Sequence, residues 1–367
     1  MTPPILPHSL PSSALFSVRE TASSGRGVYA TQAIPAGTLL FSTSALAAGV
    51  VYREYRKEVC AQCFAYDRGR VWRLRDSRAG VAFCGEACHD EWRRENAAGE
   101  AAFVAVEALG KGGKGQTEDG EEEKQSQDER RPTEEEIDTA WMKAEEMADR
   151  IRAARSSTQP SKAQRRDLNR VLATQPLRDI LSYLLSGVLC SEQEPELWAD
   201  VLSLAADSKP YTTPTELEFH ITSYHHLLAV CPIDLLPYIT QATVRTIARN
   251  SAHNVFNIWS QDLVSEDEGS QNDTGSAGAP GGSECLGYGM WTTASYWNHS
   301  CAPNVRKRRS GRIWQFWAER DVKAGEELCI TYLGGDEREM TRGQRRERLS
   351  KNWGFLCGCN RCAADDG

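Results

Sequence analysis

Seven of the twelve cysteines fall into three close spacings, and these limit the fold more than any other feature of the chain. Cys60-x2-Cys63 offers two thiolates from a tight knuckle. Cys84-x3-Cys88, preceded by Phe83 and followed by Trp92, offers two more from the start of a helix. Four thiolates on two knuckles suit a closed, tetrahedral zinc site. Cys357-x-Cys359-x2-Cys362 supplies three further ligands close to the last residue. Met1–Phe16 has prolines and serines but neither a basic start nor an apolar stretch, so no secretory leader is expected. No apolar run approaches the ~18 residues that span a bilayer. The expectation is a soluble chain of the cytoplasm and/or nucleus with no membrane partner, where cysteines serve as thiols and metal ligands rather than disulfides. Cys190, Cys231, Cys285 and Cys329 stand alone and read as buried or incidental thiols.

A length of 367 residues allows two or three domains. The net charge of −8 conceals two acidic stretches. Gln116–Glu136 holds ten acidic and three basic residues, and Asp262–Glu284 is acidic with no basic residue. Both are poor in apolar residues and read as solvated loops, which leaves a mildly basic body. Short β-prone runs punctuated by Gly and Pro occupy both ends of the chain. Ser24-Gly25-Arg26-Gly27-Val28-Tyr29-Ala30 leads into Ile34–Phe41, while Ile313–Ala318 and Glu327–Tyr332 read as strands. The turn Asp321–Glu327 echoes Gln32–Thr38. Between the two ends the pattern is helical. Thr133-x-x-Glu136 is a capping box, and Ile137, Trp141, Ala144 and Ile151 follow at helical spacing. Further helices are expected over Asp167–Leu189, from Pro214 onward, and over Ile239–Phe256.

Asn298-His299-Ser300-Cys301, followed by Pro303-Asn304, precedes the apolar run Leu328-Cys329-Ile330-Thr331-Tyr332 and then the last three clustered cysteines. In this order and spacing the three elements resemble the catalytic half of a SET-domain protein methyltransferase with its post-SET segment. The β-rich ends, the cysteine module and the helical middle together resemble the SET- and MYND-domain family, in which a zinc finger splits the SET domain. The resemblance covers nearly the whole chain and is to a short, fungal-type member without the C-terminal helical-repeat domain.

That resemblance implies an α+β fold: a β-rich SET domain with a pseudoknot, one of the rare threaded topologies. It divides the chain into an N-terminal SET part (1–50), a MYND-like single-zinc module (51–100), an acidic flexible loop (101–135) and a helical insertion (136–260). An acidic disordered loop (261–284), the C-terminal SET part (285–340) and post-SET (341–367) complete it. Cys60, Cys63, Cys84 and Cys88 are the first implied zinc site. Cys301 joins Cys357, Cys359 and Cys362 as the second. A full MYND finger carries another zinc, but Cys63 and Cys84 have no cysteine or histidine between them, and Asn96 and Glu100 stand where a His and a Cys belong. His89 reads as a surface histidine beside Cys88.

The implied activity is S-adenosylmethionine-dependent N-methylation of a lysine in a protein or peptide substrate, histone or non-histone. The resemblance gives Asn298 and His299 contacts to the cofactor, and Arg26 and Gly27 a close backbone approach to it. It gives Asn254, in Asn254-Val255-Phe256-Asn257-Ile258, the methionine end, Phe355 the adenine face, and Tyr332 a hydroxyl aimed at the reacting methyl as the catalytic group. Tyr296-Trp297 replace smaller aliphatics and are expected to narrow the lysine channel or alter how many methyls fit. Chemistry supports such a site. A lysine of pKa ~10.4 is neutral about once in a thousand at pH 7.4, a penalty of ~4 kcal/mol. Burial against aromatic walls and a nearby sulfonium reduce that penalty, so tyrosines and main-chain carbonyls serve better than a carboxylate base.

The alternative is a catalytically inactive interaction scaffold with the same fold and zinc sites, and a third reading is methylation of a non-lysine acceptor. The presence of Asn298, His299, Tyr332 and Phe355 together favours the enzyme. A nucleophilic His299–Cys301 pair is set aside, because residues two apart on a strand or loop are not expected to face each other. Arg306-Lys307-Arg308-Arg309, and the later Arg342, Arg345, Arg346, Arg348 and Lys351, read as a solvated hairpin and helix face rather than a nucleic-acid surface. A monomer is expected.

Overall fold

Short strands need partners, and here two of the N-terminal ones find theirs far along the chain. The computed structural model describes residues 10–21, 25–109, 130–260, 283–334 and 336–364. Most of the two acidic stretches expected to be loops lies outside them. The chain begins with β1 (Phe16–Glu20), β2 (Arg26–Ala30), β3 (Leu39–Thr43), β4 (Leu46–Val51), β5 (Leu74–Asp76) and β6 (Val81–Phe83). The helices α1 (Glu86–Glu95), α2 (Glu100–Ala108), α3 (Glu134–Ser156), α4 (Lys162–Leu172), α5 (Arg178–Gln193), α6 (Pro195–Ser203), α7 (Pro214–Val230) and α8 (Gln241–Asn254) come next. Then follow β7 (Val255–Trp259), β8 (Cys285–Trp291), β9 (Val305–Ser310), β10 (Ile313–Ala318), α9 (Arg342–Trp353) and α10 (Asn360–Ala364).

β3 pairs with β10, and β10 with β9; β4 pairs with β8, and β8 with β7, all antiparallel. The strands on either side of the helical segment are therefore sheet partners, which is how one β domain accommodates an insertion. Val28, Ala30, Leu40, Trp291, Trp314, Phe316 and Ile330 bury their side chains in the β core. Trp297 stacks on Phe316 with centroids 4.6 Å apart and planes at 5°, so its bulk fills this core. A second core lies among α3, α4, α5, α7 and α8, and Ala48 and Val50 of β4 join it to the sheet.

The capping box at Thr133 forms as expected: Glu136 N donates to Thr133 Oγ1 at 3.2 Å and Thr133 N to Glu136 Oε2 at 2.9 Å. The helix expected over Asp167–Leu189 is instead two, α4 and α5. Pro176 breaks it, because the ring disfavours helical geometry at Gln175 and supplies no N–H. The helix expected to reach Phe256 ends at Asn254, where Val255 turns into the β7–β8 ladder.

Two further expectations are corrected. Glu327–Tyr332 is extended but belongs to no ladder; it makes single bridges, Tyr29 with Glu327 and His299 with Ile330. Its groups are divided among three partners: Leu328 N donates to Val28 O, Ile330 N to Asn298 O, and Cys329 N to the Asn304 side chain. The segment thus lies clamped between β2 and residues 298–304. The basic run on β9 is not a solvated face either. Strand alternation turns Lys307 and Arg309 inward, at 8% and 2% exposure, and leaves Arg308 outside. The echoed turns, by contrast, touch: Ile34 and Val322 exchange both backbone hydrogen bonds at 2.9 Å. Among the described residues no helix is long and apolar enough to cross a membrane.

Burial holds His220, His225, His226 and His253 below the ordinary imidazole range. The unfolded chain takes up protons near pH 6.5 that the folded one refuses, so stability is complete above that pH and falls below it. Urea midpoints at pH 7.5 and 5.5 should show this loss, up to ~1.4 kcal/mol per histidine over the pH unit below 6.5. Gly287 has φ +156°, and a Cβ there would strike the Val50 carbonyl of the neighbouring strand. Gly287→Ala should cost roughly 2 kcal/mol or more in denaturant melts, while Gly343→Ala, with only Thr341 Oγ1 at 3.9 Å, should be harmless.

Candidate active site

The hairpin β5–β6 and the N-terminus of α1 bring Cys84 and Cys88 to the Cys60–Cys63 knuckle. Their four sulfurs lie within 4.8 Å of one another. Cys63–Cys84 and Cys84–Cys88 are 3.7 and 3.5 Å apart, close to the ~3.8 Å edge of a tetrahedron with metal–sulfur bonds of ~2.3 Å. The four residues fit one tetrahedral ion. Hydrogen bonding from Cys63 pulls the Cys60 thiol down to about 5, and burial pushes Cys88 up to about 12. Where a second finger site would lie, the Asn96 side chain caps its own helix at Trp92 O, and Glu100 pairs with Arg78 at 3.5 Å. The finger docks on the β9–β10 turn through Arg312, which pairs with Glu95 at 3.2 Å and lies over the Phe64 ring.

The second four-sulfur group unites Cys301 with Cys357, Cys359 and Cys362, again within 4.8 Å. Cys301 lies 3.7 Å from Cys357 and 3.6 Å from Cys362. The Cys301 contact pulls the Cys357 thiol down to about 3 and in turn pushes Cys301 well up. Buried Arg345 donates to Cys362 Sγ at 3.5 Å, a cation placed against the negative charge of a tetrathiolate centre. His299 and Cys301 do face each other, with Nε2 3.2 Å from Sγ, contrary to the sequence expectation. The contact follows from His299 Nδ1 accepting the Tyr332 amide at 3.0 Å, which turns the other nitrogen toward the cysteine. A cysteine 2% exposed and grouped with three others has the setting of a metal ligand, not of a nucleophile.

Tyr332 lies where these groups converge. Its ring is 5.3 Å from His299, 5.4 Å from Trp353 and 6.4 Å from Phe355. Its hydroxyl donates to Trp297 O at 2.9 Å. Burial, with Cys329 and Glu327 nearby, holds that hydroxyl well above the ordinary phenol range, so it is a neutral group at pH 7. Asn298 Nδ2 donates to Arg26 O at 3.2 Å and to Glu327 Oε1 at 2.9 Å. A Cβ on Gly27 would come within 2.6 Å of that carboxylate oxygen and 2.8 Å of the amide, so any side chain there would displace the Asn298–Glu327 pair.

The structure thus brings Gly27, Asn298, His299, Tyr332 and Phe355 together. Arg26 shares this place by its carbonyl only; its guanidinium turns to Tyr296 and Ser203 O, lying 4.8 Å over the tyrosine ring. Asn254 is buried, with its amide donating to Ala205 O and Asn250 O, both at 2.7 Å. Three contributors were given no role at the site from the sequence. Glu327 orients Asn298, Asn304 accepts from Cys329 N at 2.8 Å, and Trp353 flanks Tyr332. Asn304 had a signal in its place behind Asn298–Cys301; Glu327 and Trp353 had none.

The family pattern of the SET domain matches residues 25–333. The chain belongs to the SET-domain family. The potential protein lysine methyltransferase SET6 of Saccharomyces cerevisiae is 26% identical over 96% of this SET-domain chain and 96% of its own length. Two other relatives match a shorter stretch, which spans about a fifth of their length. The protein-lysine N-trimethyltransferase SMYD5 of Homo sapiens is 37% identical over 22% of this chain and 20% of its own. The histone-lysine N-methyltransferase SET5 of Yarrowia lipolytica is 43% identical over 21% and 17%.

Two closed cysteine groups make a metal test direct. Elemental analysis of the purified protein should give about two equivalents of zinc, and Cys357→Ser about one. Proteolysis of that variant should begin after Trp353 while the β core stays intact.

Proposed function

We propose that the protein transfers a methyl group from S-adenosylmethionine to a lysine side chain of a protein substrate. The observation that carries this reading is Tyr332: a half-buried neutral phenol, fixed at its amide by His299 and at its hydroxyl by Trp297 O, beside the glycine and asparagine of the Gly27–Asn298 contact. The residues fit the cofactor in their chemistry: Gly27 has no side chain and packs directly against the Asn298 amide and the Glu327 carboxylate, and Phe355 and Trp353 bring aromatic rings up to Tyr332. When bound, S-adenosylmethionine supplies a methyl carbon activated by its sulfonium. Phe355 and Trp353, both half-buried, set aromatic rings beside Tyr332. Tyr332 directs its proton to Trp297 O and leaves its oxygen lone pairs for polarised C–H groups. An acceptor amine in such surroundings loses its proton more readily than in water. No carboxylate base is needed.

The full-length likeness to a potential lysine methyltransferase, and the shorter ones to named lysine methyltransferases, support lysine as the acceptor. The two cysteine groups hold structural zinc in this reading, and the enzyme works as a monomer in the cytoplasm or nucleus. Histone and non-histone lysines are both open to it.

Calorimetric titration of the zinc-loaded protein with S-adenosylmethionine tests the proposal. Saturable binding is expected, abolished in Gly27→Val and retained in Tyr332→Phe. Turnover on a lysine-peptide panel should fall roughly 100-fold or more in Tyr332→Phe. Absence of binding by folded, metal-replete wild-type protein would overturn the assignment and leave the scaffold.

A further inference from the structure

Lys307 has no part in the mechanism above, yet its surroundings are unusual for a lysine. It is 8% exposed on the inner face of β9. Its Nζ lies 5.6 Å from the Phe256 ring centroid and 5.9 Å from that of Trp314, and donates to Thr331 O at 3.4 Å. Among the described residues no carboxylate lies within ion-pair distance of it. This ammonium, largely withdrawn from water, is held by two aromatic faces and one carbonyl.

The carbonyl that Lys307 holds is half of a peptide group whose other half is the Tyr332 N–H. That N–H donates to His299 Nδ1 at 3.0 Å. Because Nδ1 accepts, a neutral ring carries its proton on Nε2, which faces Cys301 Sγ at 3.2 Å. Every donor therefore points the same way: Lys307 Nζ–H to the 331 carbonyl, the 332 N–H to Nδ1, and Nε2–H to sulfur. The series starts at a cation and ends at a cysteine of the four-sulfur group. Aligned hydrogen bonds of this kind polarise one another. In a trans peptide the C=O and N–H point in opposite directions, so Lys307 and His299 hold Tyr332 from opposite sides.

We propose that Lys307 is a positioning residue of the methyl-transfer site. Together with His299 and the cysteine centre, it clamps the main chain of Tyr332 so that the phenol meets the reacting methyl in one orientation. This rests on the methyltransferase reading for its functional half and on the hydrogen-bond series for its structural half. If Lys307 only filled space, an unbranched apolar side chain would serve as well or better.

Lys307→Met, Lys307→Arg and the exposed-neighbour control Arg308→Ala, all in full-length zinc-loaded protein, separate these cases. Three quantities are read: kcat and KM on the lysine-peptide panel, hydrogen–deuterium exchange at the Tyr332 amide, and bound zinc. Lys307→Met should retain both metals and change KM for S-adenosylmethionine less than about twofold. Its kcat should drop about 10–100-fold, and its Tyr332 amide should exchange about tenfold faster. Lys307→Arg should restore most of both, and Arg308→Ala should match wild type. Wild-type exchange and kcat in Lys307→Met overturn the proposal. So does a general loss of zinc and stability that Lys307→Arg fails to rescue, which would make Lys307 a fold staple. The exchange measurement needs no turnover. A wild-type protein that binds no S-adenosylmethionine sinks the methyltransferase reading alone, and the exchange rates still decide whether the clamp exists.

Discussion

Everything at the candidate site depends on how residues 327–332 satisfy their backbone. An extended segment buried between two others must find a partner for each buried N–H and C=O. Here the partners alternate: Val28 on one side, Asn298 and Ser300 on the other, and the Asn304 side chain between. This division fixes β2, residues 298–304 and Tyr332 relative to one another without a continuous ladder. The position of each functional group is then inherited: Gly27 from β2, Asn298 and His299 from the crossing loop, Tyr332 from the clamped segment itself.

The cysteine centres reinforce that arrangement from outside. Cys301 belongs both to the crossing loop and to the terminal sulfur group, so ordering of the tail and placement of His299 are one event. The finger performs a different task. It has a single four-cysteine group, and Phe83 and Phe103 flank Trp92 at 5.6 and 5.5 Å in the same small core as Cys60.

Much of this was legible in the sequence because the informative residues are chemically specific. Cysteine spacing gave both sulfur groups, the second with help from family resemblance, and the capping box gave the start of α3. Asn298, His299 and Tyr332 were singled out through the family resemblance that their order and spacing carry. What escaped is whatever depends on partners distant in sequence. Glu327–Tyr332 has the composition of a strand, and nothing local shows that its amides serve three different segments. The basic run of β9 looks solvated until alternation is combined with the aromatic side chains of β7 and β10. Likewise, the His299–Cys301 contact is unexpected for neighbours two apart, since it requires the Tyr332 amide to orient the ring.

β3 and β4 close on β10 and β8, which follow them by more than two hundred residues. At about 5–20 residues per second, a ribosome needs on the order of 10–50 s to deliver those partners. During that interval β3 and β4 are nascent strands with open edges, the kind of segment that recruits foreign strands or chaperones. The helical core can form meanwhile from local contacts, and Ala48 and Val50 of β4 already pack against it. The insertion that interrupts the β domain can therefore shelter half of it, holding β4 in place until β8 arrives.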